Sequence, residues 1–399
     1  MSRTAALIST HFLWGEPPSA VLGGVTTYCH GLLDLLRDLE YQVTIIFPGF
    51  KCSETKYCGH RALSLPVGRH NRYTVLLGLP WKFQKALRRT LTGDEVAILT
   101  HIDVAYPYVP PRSIYVQHGI TWDGAPADPR LQRSWLRRLL RRFEIASSAR
   151  RNYRATDRSL RTVCVDTAYI SAYRQYCATR RRPLESENEK LRFIPNFGDP
   201  APPERIHSKI GQMVAGRSRI LFARRFESYR GVELQIAAAR SLAAEFPACE
   251  WIFAGSGPLL AQVEDACRTI PNARLLRADP KAMLRLHDEA DIAVIPSVYS
   301  EGTSFSCIEA MCAGCVPVVT DVGGLANLVL PDFNGCIVRP TEADLSGALR
   351  ALIKNAEFRR RAAANAYAIA SGAFSRDAWS RRWQEVIREM EAHAPAKLR

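Results

Sequence analysis

The strongest constraint on the fold is an alternation that runs along nearly the whole 399-residue chain. Short apolar runs rich in β-branched residues are separated by stretches of helical periodicity. A run that is apolar at every position suits a strand buried on both faces, and strands that alternate with helices assemble into largely parallel sheets. One series predicts strands at residues 5–8, 42–47, 96–100, 113–116, 162–165 and 191–194. A second predicts strands at 219–222, 251–254, 292–295 and 316–320, with helices such as 232–245 and 282–289 between them. The break falls at Ile194-Pro195-Asn196-Phe197-Gly198-Asp199-Pro200-Ala201-Pro202-Pro203, a Pro/Gly cluster suited to an interdomain hinge. The expectation is therefore two α/β domains, 1–197 and 198–375, and a C-terminal helix at 376–399. Trp379, Trp383, Ile387 and Met390 recur at helical spacing in that last segment, which is expected to pack back on the first domain.

Composition narrows the setting. No run approaches the roughly 18 apolar residues of a membrane span, and the start lacks a signal-peptide pattern, so the chain reads as cytoplasmic. Its 11 cysteines are odd in number and scattered, which reads as reduced thiols. The net charge of +15 suggests an acidic partner, and residues 130–161 hold much of it, with 11 Arg against only Glu144 and Asp157. In that stretch Trp135, Leu136, Leu139, Leu140 and Phe143 recur at helical spacing among Arg137, Arg138, Arg141 and Arg142. Such a helix either lies on an anionic membrane surface or packs its apolar stripe on the first domain and leaves the arginines in water.

Two segments carry candidate chemistry. In Glu301-Gly302-Thr303-Ser304-Phe305-Ser306-Cys307-Ile308-Glu309 a glycine-containing loop follows a predicted strand, and a helix opens near Ser304. Backbone amides there would point out of the carboxyl edge of a parallel sheet, forming a phosphate-sized anion site. Glu301 on the loop and Glu309 about two turns into the helix suit hydrogen bonds from sugar hydroxyls. The alternative is that Glu309 closes a capping box with Ser306 and Glu301 is a solvated loop acid. In the second segment Arg225 and Arg230 leave a strand end just before Gly231, a spacing that suits two adjoining phosphates, whereas Arg224 reads as a solvated loop arginine.

Other patterns point away from competing chemistries. Cys312-Ala313-Gly314-Cys315 has no second ligand pair at zinc spacing and reads as packing. Gly255-Ser256-Gly257 lacks the third glycine of a dinucleotide fingerprint, and no Gly-x-Ser-x-Gly elbow is present.

Taken in order, the Gly23-Gly24-Val25-Thr26-Thr27-Tyr28 loop, the Arg-x4-basic-Gly turn, Gly255-Ser256-Gly257-Pro258 and the Glu-x7-Glu segment resemble glycosyltransferase family 4. The resemblance covers nearly the whole chain. It implies a GT-B fold, two Rossmann-like domains facing across a cleft, and a retaining sugar transfer from a nucleoside-diphosphate sugar with no metal and no cofactor beyond the donor. On that resemblance Glu309 would bind ribose hydroxyls, Glu301 a hydroxyl of the donor sugar, and Arg225 and Arg230 the diphosphate. Amides at Ser304 and Phe305 would complete the phosphate site, Gly23 and Gly24 would admit close backbone approach, and Gly255 and Gly257 would border the nucleotide. His118, in Gln117-His118-Gly119, stands where the family often has a histidine near the donor sugar and would assist at the reacting centre. Two positions depart from the family pattern: Arg224 replaces its usual Gly, and Arg230 its usual Lys.

The expected acceptor is a saccharide, glycolipid or small molecule met by first-domain loops at 12–22 and 51–71, in cell-envelope or exported polysaccharide assembly. Association with the inner face of the cell membrane is a further expectation. A sugar-nucleotide epimerase with the same donor site is the nearer alternative. A nucleic-acid-binding protein is the remoter one, since no binding module is recognised and few aromatic residues interleave the basic face.

Overall fold

A computed structural model describes residues 3–14, 17–21, 23–67, 81–120, 135–181, 190–277, 280–299 and 301–392. The chain packs as two units. Among the described residues the first runs to His118, resumes over 135–194 and regains the chain from Ser380, and the second is chiefly Pro195–Trp379.

The first unit holds β1 (Thr4–Ile8), β2 (Leu13–Trp14), β3 (Ser19–Ala20), β4 (Gln42–Gly49), β5 (Ser53–Tyr57), β6 (His60–Pro66), β7 (Val96–Leu99), β8 (Ser113–Gln117), β9 (Arg161–Cys164) and β10 (Leu191–Phe193). Eight of them form one sheet in the order β10-β9-β8-β7-β1-β4-β6-β5, parallel except for the β5–β6 hairpin. Central strands are apolar throughout because both faces are covered. Ala6, Ile8, Leu99 and Tyr115 pack against Phe83 and Leu87 of the Trp81–Thr90 helix on one side. The C-terminal helix Arg376–Ala392 contributes to this unit from Ser380 onward. Trp383 and Met390 are fully buried, the Trp383 indole donates to the Tyr28 hydroxyl at 3.0 Å, and Arg161 and Arg192 both pair with Glu389 at 2.5 and 2.9 Å.

The second unit is a six-stranded parallel sheet of β11 (Arg219–Ala223), β12 (Glu250–Ala254), β13 (Ala273–Leu276), β14 (Ile292–Ile295), β15 (Val316–Thr320) and β16 (Cys336–Val338), in the order β13-β12-β11-β14-β15-β16. Alternate residues serve two layers. Phe222, Trp251, Phe253 and Val294 meet the Val232–Leu242 helix, while Leu221, Ile252, Ile295 and Val319 meet the Phe305–Cys312 helix. This is the doubly wound strand order, whose connections reverse between β11 and β14, where a crevice opens outside the carboxyl ends of the strands. The first unit reverses likewise between β1 and β7.

Two features differ from the sequence expectation. The unpredicted strands are peripheral: the β2–β3 ribbon, the polar hairpin β5–β6, and the edge strands β13 and β16. The Pro/Gly cluster is also not a free hinge beyond Ile194, and the units divide there, three residues before the expected boundary. Phe197 is 2% exposed and lies 4.5 Å from the Trp379 ring, and Gly198 bridges to Ser375, so these residues and Arg376–Trp379 belong to the second unit's packing.

Candidate functional site

The second unit's switch point is built from two chain exits. Residues 224–231 leave β11, and residues 296–304 lead from β14 into the Phe305–Cys312 helix. The Ser306 hydroxyl donates to the Ala223 carbonyl at 3.0 Å and fixes the helix start beside the end of β11. Thr303 Oγ1 accepts the Asn196 amide at 2.8 Å and Thr320 Oγ1 donates to the Ser297 carbonyl at 2.5 Å, so the loop is held from both sides. The helix opens after Ser304, which supplies no side-chain cap, so its first-turn amides can face an anion. Ser306 is engaged with Ala223, and the capping box with Glu309 does not form.

Glu301 is the hub of the site. Arg224 grips both of its oxygens, with Nη1 and Nη2 at 3.0 and 3.1 Å from Oε1 and Nη2 at 2.7 Å from Oε2. Ser297 Oγ donates to Oε1 at 3.0 Å, and Arg230 Nη1 donates to Oε2. The reading of Arg224 as a solvated arginine is corrected: its side chain is 5% exposed, because a buried carboxylate at 13% exposure needs a buried counterion. Glu301 is likewise no solvated loop acid. Burial lowers Arg224 to about 10, and burial together with the Arg224 charge lowers Arg230 to about 10, so both are cations at neutral pH. Two guanidiniums against one carboxylate leave the cluster one positive charge in excess. Arg225, by contrast, faces solvent and pairs with Glu227 at 2.5 Å, apart from this cluster.

Glu309 stands on the outward face of its helix, whose Cys307, Ile308, Ala310 and Met311 are buried. Burial, and secondarily Asp199, pushes its carboxyl up to about 7. His287 Nε2 lies 3.9 Å from Glu309 Oε2, and burial lowers that imidazole to about 4, so it is neutral and gives Glu309 no counterion.

The glycines fix the floor. Gly231 has φ +74°, and a Cβ there would stand 1.8 Å from the Pro296 carbonyl oxygen, so only glycine lets the two exits approach. Gly255 packs under the same loop, where a Cβ would lie 2.1 Å from the Arg224 carbonyl oxygen, and Gly257 lies against Phe226.

The remaining residues belong to the first unit. Gly23 precedes the Gly24–Asp38 helix at its N-cap, with open space where a Cβ would be. His118 follows β8, packs edge-on to Tyr28 at 4.9 Å and has a buried Nε2 with no hydrogen-bond partner among the described residues. Burial, then His101 and His11, lowers it to about 3, so it is a neutral imidazole. Sequence reasoning missed its neighbours at the first unit's switch point: His11 after β1, and His101 after β7, with ring centroids 4.3 Å apart and His101 3.2 Å from Asp103. Histidines just past the ends of three adjacent strands were the available signal. In the basic segment, Arg130 and Arg133 lie outside the described residues, and the Trp135–Arg158 helix exposes Leu139 and Phe143 at 41% and 67%. Neither of those two side chains is packed away as the alternative reading expected. Residues 15, 16, 22 and 68–71 of the two acceptor loops lie outside the described residues.

Residues 205–369 match the family model for glycosyl transferases group 1. An uncharacterised glycosyltransferase of Methanocaldococcus jannaschii is 33% identical over 129 residues, 31% of this chain and 33% of that protein. The match thus spans about a third of that relative's length. Among solved structures, sucrose-phosphate synthase from Thermosynechococcus elongatus superposes with TM-score 0.72 at 18% identity, over 98% of this chain and 100% of that one. Anabaena Alr3699/HepE, solved with UDP, gives TM-score 0.67 at 15% identity, over 97% and 100%. These likenesses give the fold as GT-B.

Proposed function

We propose that the chain, whose residues 205–369 match the group 1 glycosyl transferase model, is a retaining, metal-independent glycosyltransferase using a nucleoside-diphosphate sugar. The observation that carries this reading is the cationic cluster around Glu301 beside an uncapped helix start, at the switch point of a doubly wound sheet. Arg230 and the amides at Ser304 and Phe305 hold the diphosphate and stabilise the charge it gains as it leaves, work that needs no bound metal. Arg225 gives up Glu227 to reach the distal phosphate. Glu309 receives the ribose hydroxyls, Glu301 a hydroxyl of the transferred sugar, and Gly255 and Gly257 border the nucleotide. A uridine or adenosine diphosphate donor is favoured by the UDP bound in the Anabaena structure and by the ADP bound in the structurally similar starch synthase IV of Arabidopsis thaliana.

The acceptor attacks from the face the diphosphate leaves, and the departing phosphate takes the acceptor proton, so no protein nucleophile enters the reaction. His118, a neutral imidazole whose Nε2 has no hydrogen-bond partner among the described residues, is assigned to assist at the reacting centre, and Gly23 and Gly24 to admit close approach of a phosphate to the backbone. A saccharide or glycolipid acceptor in envelope or exported polysaccharide assembly fits the exposed Leu139 and Phe143 of the Arg-rich helix, which we place on an anionic membrane surface. Among the described residues no helix is long and apolar enough to cross a membrane.

Incubation with UDP-, ADP- and GDP-sugars and a panel of saccharide and glycolipid acceptors, read by mass spectrometry and by NMR of the new anomeric centre, tests the proposal. Acceptor-dependent transfer with retained configuration supports it. Inverted product, or conversion of the donor without acceptor, overturns it, the latter in favour of the epimerase.

A further inference from the structure

Glu301 is saturated. A carboxylate offers about four lone-pair sites, and this one receives five hydrogen bonds, from Arg224, Ser297 and Arg230. In this arrangement it has no capacity left for a sugar hydroxyl, and Arg230 is occupied rather than free for a phosphate. One partner must leave before either can serve the donor. Arg224 and Ser297 are the more deeply buried partners, while the Arg230 side chain is 28% exposed to solvent and rests over the Tyr229 ring at 4.9 Å.

Resting on the donor reading above, we propose that Arg224 is a positioning residue: as the permanent counterion of Glu301 it allows Arg230 to leave that carboxylate for the donor diphosphate. The exchange keeps Glu301 neutralised at each stage. Before binding, Glu301 is shared by two guanidiniums. After it, Arg224 alone neutralises Glu301, Arg230 meets the diphosphate, and the vacated site on Oε2 accepts a hydroxyl of the sugar. Without Arg224, withdrawal of Arg230 would strand a buried carboxylate, so Arg230 would stay where it is. Arg224 thereby links phosphate capture to sugar recognition without touching the donor.

The test is a double-mutant cycle of Arg224→Gln and Arg230→Gln, read by calorimetric titration of UDP and of ADP and by donor kinetics. Loss of one charge-assisted contact corresponds to about a 10- to 100-fold change in affinity. R224Q is expected to weaken nucleotide binding by at least about tenfold, R230Q similarly, and the double variant no more than R230Q alone, because Arg224 acts through Arg230. R224K, which keeps the charge but loses the two-pronged grip on Glu301, should recover part of the affinity lost in R224Q and leave a smaller deficit. Should R224Q fail to fold, the same cycle is run with R224K, whose smaller deficit must vanish in the R230Q background. Additive losses, or wild-type affinity in R224Q, overturn the inference while the donor reading stands. Absence of UDP and ADP binding by the wild-type chain, with GDP also inert, overturns the donor reading and this inference with it.

Discussion

Replacing Glu309 by Gln should stabilise the protein and impair it at once. Its carboxyl is raised from an ordinary 4.5 to about 7, first by burial and then by Asp199. An acid whose folded pKa is raised binds more protons folded than unfolded between those two values. Stability therefore falls as pH climbs from 4.5 to 7, and the deficit remains in full above 7. At 1.36 kcal/mol per pH unit the shift corresponds to about 3 kcal/mol at pH 8 and to under about 1 kcal/mol at pH 5. Water reaching the 30% of the side chain that stays accessible screens part of this, leaving about 1–3 kcal/mol. A neutral Gln does not incur that cost. Thermal unfolding of E309Q at pH 8 should show a midpoint roughly 3–8 °C above wild type, with the gain shrinking to a small fraction at pH 5. Donor KM should rise at least about tenfold in the same variant, since a carboxylate acceptor for the ribose hydroxyls is lost. A lower midpoint at pH 8, or an equal gain at both pH values, would refute the burial argument.

Other expectations follow from the same contacts. In the wild type, donor KM should fall as pH rises from 6 to 8 while Glu309 ionises, and a flat profile in initial-rate kinetics counts against its role as hydroxyl acceptor. Thr303→Val removes the acceptor of the Asn196 amide and should cost about 1–3 kcal/mol in urea denaturation, with an unchanged midpoint as the contrary result. Gly231→Ala forces a Cβ onto the Pro296 carbonyl and should abolish donor binding or folding; a soluble variant with wild-type affinity for UDP would contradict the packing. Leu139→Glu with Phe143→Glu should abolish sedimentation with vesicles containing anionic lipid while leaving donor hydrolysis in solution intact, and retained sedimentation would remove the membrane role.

The central strands were legible because burial on both faces makes them continuously apolar, as in Val316–Thr320, where every residue is buried. The edges were not. β5 reads Ser53-Glu54-Thr55-Lys56-Tyr57, a polar pattern that forms a strand only by pairing with β6, and β13 carries Arg274 on a half-exposed edge. At the site, Glu301, Glu309 and Arg230 were legible from spacing at predicted strand and helix ends. Arg224 was misread, since burial of a guanidinium depends on a carboxylate 77 positions away. The histidines at 11, 101 and 118 come together only through the strand order β8-β7-β1, which local periodicity does not reveal.

Hydrogen–deuterium exchange of the wild-type chain with and without saturating UDP or ADP tests most directly that the donor site lies at the second unit's switch point. Added protection is expected in that unit only in peptides covering 224–231, 255–259 and 301–310, and it should be lost in R230Q. Protection of other edges of that sheet, or none under conditions where binding is independently measured, would contradict it.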